Sequence, residues 1–390
     1  MYDNNQATSN NNTSLLLLKE VYEKVQESSE KCHNGMCFST LPPSVDAAKA
    51  TGAEASERLE EALTRHLRVA HAHKTASHAD AVRLTLLTLA SPILGERSLR
   101  QGDEIITVGL DATDIAAIKD FGAVPVLVDV TLPHYNIDTK ELDRALSPNT
   151  RAVMLSHTLG YPFNLKTVRN FCNDYELWLI EDSARALGAA FDFDGTRYET
   201  GTVGDLGVGS LSPLSPYGGG CGLLYTRDDA LSTVAQELLE STLSLAPTPL
   251  QANLDEARLA ALPQVGDARR RAAARLWEAL QPVADRLALP EALPNAHPAP
   301  LAFPLACKEG VNAGAVLEKL RQRGIPCYPF LSAEEASLLA SVCASGSCRP
   351  VGDLPVTRRI LTDTLLIPLP LGITDEALAR TAATILEALA

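Results

Sequence analysis

The sequence predicts an α/β fold with a large, mainly parallel-sheet domain followed by a smaller C-terminal α/β domain. Short and almost wholly apolar segments recur along the first part of the chain. Such segments are typical of parallel strands that are covered by helices on both faces. Helical patterns separate these segments, and this alternation is the mark of α/β proteins. The length of 390 residues, 46% of them hydrophobic, suits about two or three domains of roughly 150 residues each.

The first predicted helix covers 53–69, where Leu59, Leu63 and Leu67 fall on one face. The elements that follow are apolar strands, helices and one turn from strand to helix. In chain order they are the strands IITVGL (105–110) and AVPVLVDV (123–130), a short helix that begins with the capping box Asp138-Thr139-Lys140-Glu141 and ends near Leu146, the strand AVMLSH (152–157), a helix at 166–175, the strand LWLIED (177–182) and the strand-to-helix turn GLLYTRDDAL (222–231).

A change of pattern near 250–265 predicts the domain boundary. The stretch 245–265 contains prolines and is predicted to be irregular, and a long helix is predicted from residue 266. The last part then contains a helix at 312–323, a strand near 325–330, the apolar segment TLLIPLPL and a final helix at 375–389. We therefore divide the chain into a partly disordered N-terminal arm (1–50), a large domain (51–255) and a small C-terminal domain (256–390).

The charge balance excludes two classes of partner. The chain has 34 basic and 48 acidic residues, a net charge of −14, so we expect no binding to nucleic acid or to an anionic membrane. No apolar run approaches the roughly 18 residues that a membrane helix needs. Eight cysteines in 390 residues do not form a disulfide scaffold, and we therefore expect a cytoplasmic protein.

Several strings fall in an order that resembles a known family. They are GDEIIT (102–107), GAVPVLVDV (122–130), HTLGYPFNL (157–165), YELWLIED (175–182) and VGDLP (351–355). Together they resemble the DegT-type sugar aminotransferases and, more closely, the CDP-4-keto-6-deoxyglucose 3-dehydrase branch of lipopolysaccharide biosynthesis. The resemblance implies a fold-type-I aminotransferase-like large domain and a homodimer with sites near the subunit interface.

The resemblance also implies chemistry with pyridoxal or pyridoxamine phosphate (PLP or PMP). Asp182 matches the carboxylate at a strand end that pairs with the pyridine nitrogen of the cofactor. His157 matches a histidine that faces the cofactor pocket. Arg185 stands where aminotransferases carry a glutamine near the phenolate oxygen. It is expected either to bind that oxygen or to pair with Asp182 across an empty site, and we favour the pairing.

Other matched positions lack the side chains that the family's reaction needs. In SLSPLSPYGGGCG, Ser210 and Pro213 align, and the slot of the Schiff-base lysine, or of the dehydrase histidine, falls on Ser215. No lysine occurs between Lys166 and Lys308, and serine cannot form an imine. An internal aldimine is therefore not expected.

The phosphate turn, the stacking aromatic and the iron–sulfur cysteines are altered as well. Ser77 matches the start of the phosphate turn, where Asp80 adds a negative charge beside the expected phosphate. The segment 108–118 has no aromatic residue, and Ser183 stands where the first cluster cysteine is expected. Asp182, Ser77, Ser210 and Ser215 thus form a remnant cofactor site, and we expect no bound cofactor.

Two functional hypotheses follow. The first is a degenerate aminotransferase or 3-dehydrase relative, a pseudoenzyme or repurposed partner in nucleotide-sugar, lipopolysaccharide or natural-product biosynthesis. It would form a homodimer, or a heterodimer with an active paralogue, and a nucleotide-sugar ligand is possible. The alternative is an active enzyme on a nucleotide-linked sugar. That enzyme would bind PLP or PMP non-covalently, or run cofactor-free acid–base catalysis with His157, Asp182 and Arg185.

Cysteine and histidine patterns suggest two further sites. Cys32, Cys37, Cys343 and Cys348 form two pairs with equal spacing, which would bind zinc or an iron–sulfur cluster if the N-terminal arm met the C-terminal domain. Unrelated cysteines, or two local disulfides outside the cytoplasm, are the preferred interpretation. Four histidines between residues 66 and 78 are interpreted as a polar stretch leading into the sheet, with a metal or ligand role as the alternative.

Overall fold

The computed structural model describes residues 52–211, 220–242, 249–370 and 372–390, together with positions 16, 19, 20, 23 and 24. Most of the predicted arm 1–50 lies outside the described residues, as do Cys32, Cys37 and Ser215.

Helices and strands alternate through the first half of the described chain. The helices are α1 (Gly52–Leu67), α2 (His78–Leu89), α3 (Ala112–Phe121), α4 (Leu142–Ala145), α5 (Leu165–Asp174), α6 (Asp229–Ser241), α7 (Pro249–Ala279), α8 (Ala313–Gln322), α9 (Ala333–Ala344), α10 (Pro355–Asp363) and α11 (Asp375–Leu389). The strands are β1 (His71–Thr75), β2 (Glu104–Val108), β3 (Val124–Val128), β4 (Val130–Thr131), β5 (Asn136–Ile137), β6 (Thr150–Ser156), β7 (Trp178–Asp182), β8 (Ala190–Phe193), β9 (Thr196–Glu199), β10 (Leu206–Ser210), β11 (Gly222–Thr226), β12 (Leu287–Ala288), β13 (Ala296–His297), β14 (Ala302–Cys307), β15 (Tyr328–Pro329), β16 (Arg349–Pro350) and β17 (Thr364–Pro368).

The main sheet has eight strands in the order β1-β11-β10-β7-β6-β2-β3-β16. The strands from β10 to β16 are parallel, and β11 pairs antiparallel with both β1 and β10. The central strands β2, β7 and β10 are buried along their whole length, as expected for a sheet with helices on both faces. The predicted mainly parallel α/β fold is therefore confirmed.

The predicted irregular stretch 245–265 is wrong from Pro249 onward, because helix α7 begins there. Leu262 and Val265 of α7 are buried in one cluster with Leu59 and Leu63 of α1. Burial of this apolar face against α1 outweighs the local helix-breaking effect of Pro263, which lies inside the helix. Tertiary packing therefore decides the structure of this stretch.

A second, smaller sheet lies in the C-terminal part, with antiparallel strands in the order β12-β14-β17-β15. Its apolar residues pack with those of α7, α8 and α11 in one cluster. Helix α7 continues across the predicted boundary at residue 255, and β16 from the C-terminal part pairs with β3 of the main sheet. The three-part division of the chain stays a prediction.

The main sheet brings several polar side chains to one edge. The carboxyl ends of parallel strands β6, β7 and β10 lie side by side, and Ser156 is the register partner of Asp182. Helix α2 begins at His78 and α3 begins at Ala112. Open α/β sheets bind their ligands at such an edge. Within the described ranges, no helix combines the length and the apolar character needed to span a membrane.

Candidate functional site

Asp182 is the centre of the polar cluster at this edge. Its side chain is 1% exposed. Oδ1 accepts a hydrogen bond from the backbone N–H of Ala184 at 2.7 Å, and Oδ2 lies 2.7 Å from Nε2 of His78. Burial would raise the pKa of Asp182, but the charge and hydrogen bond of His78 outweigh burial and lower it. Asp182 is therefore an ionised carboxylate that faces a cation.

His78 supplies that cation from the first turn of α2. Burial opposes its charged form, but Asp182 outweighs burial and raises the pKa of His78. Its side chain is 21% exposed, so it forms the solvent side of the pair. Sequence reasoning left His78 in a histidine-rich stretch, because the contact with Asp182 joins residues 104 positions apart.

Two aspartates at the start of α3 complete the cluster. Asp111 is the N-cap of α3 and accepts hydrogen bonds from the backbone N–H groups of Thr113 and Asp114. The hydroxyl of Ser156 lies 2.9 Å from Asp111 Oδ2 and 3.2 Å from Asp114 Oδ2. Sequence analysis missed both aspartates, although their spacing at a helix start after an apolar strand was a usable signal.

Asp114 is fully buried. Its carboxyl group shares a side-chain hydrogen bond with Asp182. Burial raises the pKa of Asp114 well above its usual range, and the charges of Asp111 and Asp182 add to that effect. One ligand atom from each of His78, Asp114 and Asp182 lies within 4.8 Å of the others. Asp182 is therefore in contact with both His78 and Asp114.

The predicted pairing of Arg185 with Asp182 is wrong. The guanidinium group of Arg185 forms an ion pair with Glu335, which belongs to the capping box of α9 with Ser332. Glu335 raises the pKa of Arg185 further. The carboxylate of Glu335, 150 positions away in α9, therefore pairs with Arg185. His78 pairs with Asp182 at the position where Arg185 was expected.

His157 follows β6 and is completely buried. Its Nε2 lies 2.9 Å from Oε2 of Glu181, and Nδ1 accepts a long hydrogen bond of 3.4 Å from the backbone N–H of Phe163. The ring also stacks on Phe163 with 4.3 Å between centroids. Because Nδ1 acts as an acceptor, Nε2 carries the proton that is donated to Glu181. Both ring nitrogens are engaged, and the catalytic role of His157 stays a prediction.

The residues of the remnant phosphate turn form hydrogen bonds with one another at the start of α2. Ser77 is the N-cap of α2: its hydroxyl accepts from the backbone N–H of Asp80 and donates to the carboxylate of Asp80 at 2.6 Å. Lys74 pairs with Glu60. Ser210 ends β10 in register with Gly222 of β11 and is buried. The negative charge of Asp80 at this turn does not suit a phosphate group.

Little space remains between the described side chains. A cavity of about 10 Å³ is lined by Ser156, His157, Asp182 and Arg185, among others, which is room for about one water molecule. Asp182 fits the role of partner to a pyridine nitrogen, whereas the turn at Ser77 does not fit the phosphate. A cofactor at this site would require His78 to leave Asp182.

The described half of the predicted cysteine site consists of two neighbouring thiols. Cys343 and Cys348 are both buried and free. The contact with Cys348, together with burial, raises the pKa of Cys343 well above its usual range. Since Cys32 and Cys37 lie outside the described residues, the four-cysteine metal site stays a prediction.

Comparisons with known proteins identify the family of this chain. A model of the DegT/DnrJ/EryC1/StrS aminotransferase family matches residues 44–386. The lipopolysaccharide biosynthesis protein RfbH of Salmonella typhimurium is 30% identical over 366 residues, which cover 83% of this chain and 82% of that protein. The dTDP-4-dehydro-2,6-dideoxy-D-glucose 3-dehydratase of Saccharopolyspora spinosa is 32% identical over 315 residues, which cover 69% of this chain and 66% of that enzyme.

A structural comparison corrects the expectation of no cofactor. The GDP-4-keto-6-deoxy-D-mannose-3-dehydratase of E. coli was solved with bound hydrated PLP. It shares this fold with a TM-score of 0.74 and 17% identity, covering 85% of this chain and 91% of that chain. The matched family is one of aminotransferases. The prediction that the chain takes no cofactor is therefore wrong. It was based on the altered side chains at the matched positions, and these do not exclude a cofactor.

Proposed function

The chain belongs to the DegT/DnrJ/EryC1/StrS aminotransferase family, and from this premise we propose that it is a repurposed member acting in nucleotide-sugar biosynthesis. Its pocket holds PLP or PMP non-covalently, with no internal aldimine. Pyridoxal chemistry stabilises negative charge that develops on a bound substrate. The relatives named above, one in lipopolysaccharide biosynthesis and one a nucleotide-sugar 3-dehydratase, support the substrate class.

The geometry of Asp182 is the observation that carries this proposal. Its carboxylate lies buried at the carboxyl end of β7 and holds a cationic N–H group, that of His78, at 2.7 Å. A protonated pyridine nitrogen is also a cationic N–H donor and suits the same carboxylate oxygen. In this proposal Asp182 holds the ring nitrogen, and His78 turns outward through its exposed side. The absence of lysine from residues 167–307 supports non-covalent binding.

Equilibrium dialysis of the full chain against PLP and PMP tests the proposal. We expect saturable binding of one cofactor per chain, and a loss of affinity of at least about tenfold in Asp182→Asn, since a buried charged hydrogen bond is removed. Asp120→Asn is a matched control, because Asp120 is an exposed residue of α3. Equal binding by wild type and Asp182→Asn would contradict the role of Asp182.

A second experiment tests catalysis. With PMP and a nucleotide-linked 4-keto-6-deoxysugar, we expect the wild type to consume the keto sugar and Asp182→Asn to leave it intact. The variant should remain folded. Substrate that remains intact while the wild type has cofactor bound would contradict catalysis.

That result would favour a second candidate function, a non-catalytic partner in a homodimer or in a complex with an active paralogue. Co-purification with the paralogue, followed by light scattering, tests this candidate.

A further inference from the structure

A groove of about 420 Å³ lies between helix α7 and the proline-rich connector 290–300 that precedes β14. Tyr161 and Phe303 also line this space, which we call the α7 groove. Its volume falls within the roughly 300–1,000 Å³ of small-molecule sites. The wall from α7 is a single stripe of side chains at helical spacing. These side chains are Arg270, Ala273, Ala274, Trp277 and Glu278.

The hydroxyl of Tyr161 indicates that the α7 groove takes a ligand. Tyr161 is only 6% exposed. The hydrogen bonds that described residues make with Tyr161 use its backbone N–H and C=O, so its hydroxyl has no partner among them. Burial raises the pKa of this hydroxyl, which therefore stays a neutral donor. A buried hydroxyl without a partner is costly, and a hydrogen-bond acceptor on a ligand in the groove would remove that cost.

Trp277 gives the α7 groove a flat aromatic surface. Its side chain is 38% exposed, although it is large and hydrophobic. Pro290, Pro298 and Pro300 of the connector add rigid apolar surface. Aromatic rings stack on aromatic side chains, and stacking of this kind is a main source of affinity for nucleobases. The groove therefore suits a flat ring with a polar edge.

The charged side chains of the α7 groove favour a neutral ligand. Arg270 pairs with Asp267, and Arg275 on the same helix pairs with Asp375. Glu278 is exposed and forms no ion pair with the described residues. A phosphate group in the groove would therefore meet a carboxylate that no neighbouring cation neutralises.

We propose that the α7 groove binds a neutral nucleoside whose base carries a carbonyl group. The base stacks on Trp277, and its carbonyl oxygen accepts a hydrogen bond from the hydroxyl of Tyr161. The carboxylate of Glu278 disfavours the corresponding nucleotide.

This site differs from the cofactor site of the proposed function, and the inference does not rest on that function. Segment 157–161 contributes to both places, since Leu159 lines the small cavity beside Asp182 and Tyr161 lines the α7 groove. The backbone N–H of Ala299 in the connector donates to this segment. The nucleoside and PLP use different side chains, and we expect both to bind at the same time.

Isothermal titration calorimetry of the full chain with uridine is the direct test. Uridine is the probe because its base has carbonyl groups and it carries no phosphate. We expect one uridine per chain and a loss of affinity of about three- to tenfold in Tyr161→Phe, which removes only the hydroxyl. Tyr175→Phe removes a hydroxyl from an exposed tyrosine and should stay within about twofold of wild type. Circular dichroism checks that each variant is folded.

A second ligand tests the hydrogen bond from the other side. The base of adenosine has no carbonyl group, so adenosine should bind more weakly than uridine, and Tyr161→Phe should leave its affinity unchanged. Uridine monophosphate should also bind more weakly than uridine. Tighter binding of the monophosphate would contradict the role of Glu278 and the choice of a neutral ligand.

Tryptophan fluorescence locates the bound nucleoside. The chain has two tryptophans, and the other one, Trp178, is buried with its indole N–H bonded to the backbone carbonyl of Arg97. Uridine should quench the emission of the wild type but not that of Trp277→Phe. Quenching that persists in Trp277→Phe would place the ligand elsewhere and overturn the inference.

Three further outcomes would overturn the inference. They are no binding at millimolar uridine, binding that Tyr161→Phe leaves unchanged, and loss of uridine binding in Asp182→Asn, which would place the nucleoside at the cofactor site. Light scattering of Trp277→Ala should give the molar mass of the wild type, and a lower mass would show that a second copy of the chain covers the groove. Binding of PLP without uridine would remove this site and leave the proposed function standing, and the reverse result would do the opposite.

Discussion

Two histidine–carboxylate pairs lie next to each other and differ in how completely they are satisfied. Glu181 and Asp182 are consecutive residues of β7, and their side chains point to opposite faces of the sheet. Glu181 pairs with His157 and also accepts hydrogen bonds from the backbone N–H groups of Gly201 and Val203. Asp182 pairs with a partly exposed His78 and shares a side-chain hydrogen bond with the buried Asp114.

The difference separates a structural pair from a binding site. Glu181 and His157 are both completely buried, and both oxygens of Glu181 accept hydrogen bonds from described residues, so no capacity remains for a ligand. The acidic side chains of Asp111 and Asp114 lie beside Asp182, and its partner His78 reaches solvent. Two adjacent carboxylates that each pair with a histidine therefore have different roles, one structural and one in binding. The number of hydrogen-bond partners around each carboxylate distinguishes the two roles.

Removal of the satisfied carboxylate should have the largest effect on stability. Glu181→Ala leaves His157 and the backbone N–H groups of Gly201 and Val203 without their acceptor in a buried site. We expect the free energy of unfolding to fall by about 3–5 kcal/mol, as measured by urea denaturation. A loss below about 1 kcal/mol would mean that this pair is not structural and would weaken the comparison.

Glu104 extends the comparison to a second satisfied carboxylate, with a smaller effect. Arg349 of β16 binds it at 2.8 and 2.6 Å, and Ser147 donates at 2.6 Å. Burial would raise the pKa of Glu104, but these hydrogen bonds lower it. We expect Glu104→Gln to lose about 1–2 kcal/mol at neutral pH.

The pH dependence of this loss follows from the lowered pKa. A carboxylate with a lowered pKa stabilises the fold above its unfolded pKa of about 4.3, and this contribution disappears as the pH falls through the folded pKa. Urea denaturation at several pH values should show the difference between wild type and Glu104→Gln shrinking in acid. A difference that stays constant down to acid pH would contradict the assignment.

Asp114 should behave in the opposite way in the cofactor-free protein. Asp114→Asn removes a buried acidic group, keeps the side-chain shape and retains an N–H group that can donate to Asp182. We expect a gain of about 0.5–2 kcal/mol in the free energy of unfolding. Destabilisation by more than about 1 kcal/mol would mean that the contact between the carboxyl groups of Asp114 and Asp182 stabilises the fold by more than burial of the acid costs.

The smallest effect is expected at an exposed pair. Lys166 and Asp194 lie 2.6 Å apart, with side chains 56% and 61% exposed. Lys166→Ala should change the free energy of unfolding by less than about 0.5 kcal/mol. This variant gives the baseline for the buried pairs, and a change comparable to that of Glu104→Gln would remove the distinction between buried and exposed ion pairs.

The sequence allowed much of the fold to be predicted, because the required signals are local. Leu59, Leu63 and Leu67 are all buried, as their spacing predicts, and the apolar segments at 152–157 and 177–182 correspond to the central strands β6 and β7. Helix α7 could not be predicted in this way. Its Pro263 indicates a break in the helix, and the packing against α1 that outweighs this local signal joins distant parts of the chain.

The site was only partly predictable, because its contacts join distant positions. Asp182 was found because it matches the family's carboxylate at a strand end, which the resemblance implies to pair with the cofactor. Its partner His78 and the partner of Arg185, Glu335, come from elements that no local pattern connects to it. Asp114 was missed because an aspartate in the first turn of a helix is common, and only its burial beside Asp182 distinguishes it.

Intact-protein mass spectrometry after borohydride reduction in the presence of PLP tests the central claim most directly. Reduction fixes any aldimine as a stable adduct. We predict that the protein binds PLP yet gains no stoichiometric mass, because no lysine lies between residues 166 and 308. One adduct per chain, mapped to a single lysine and lost in Asp182→Asn, would contradict non-covalent binding at this site.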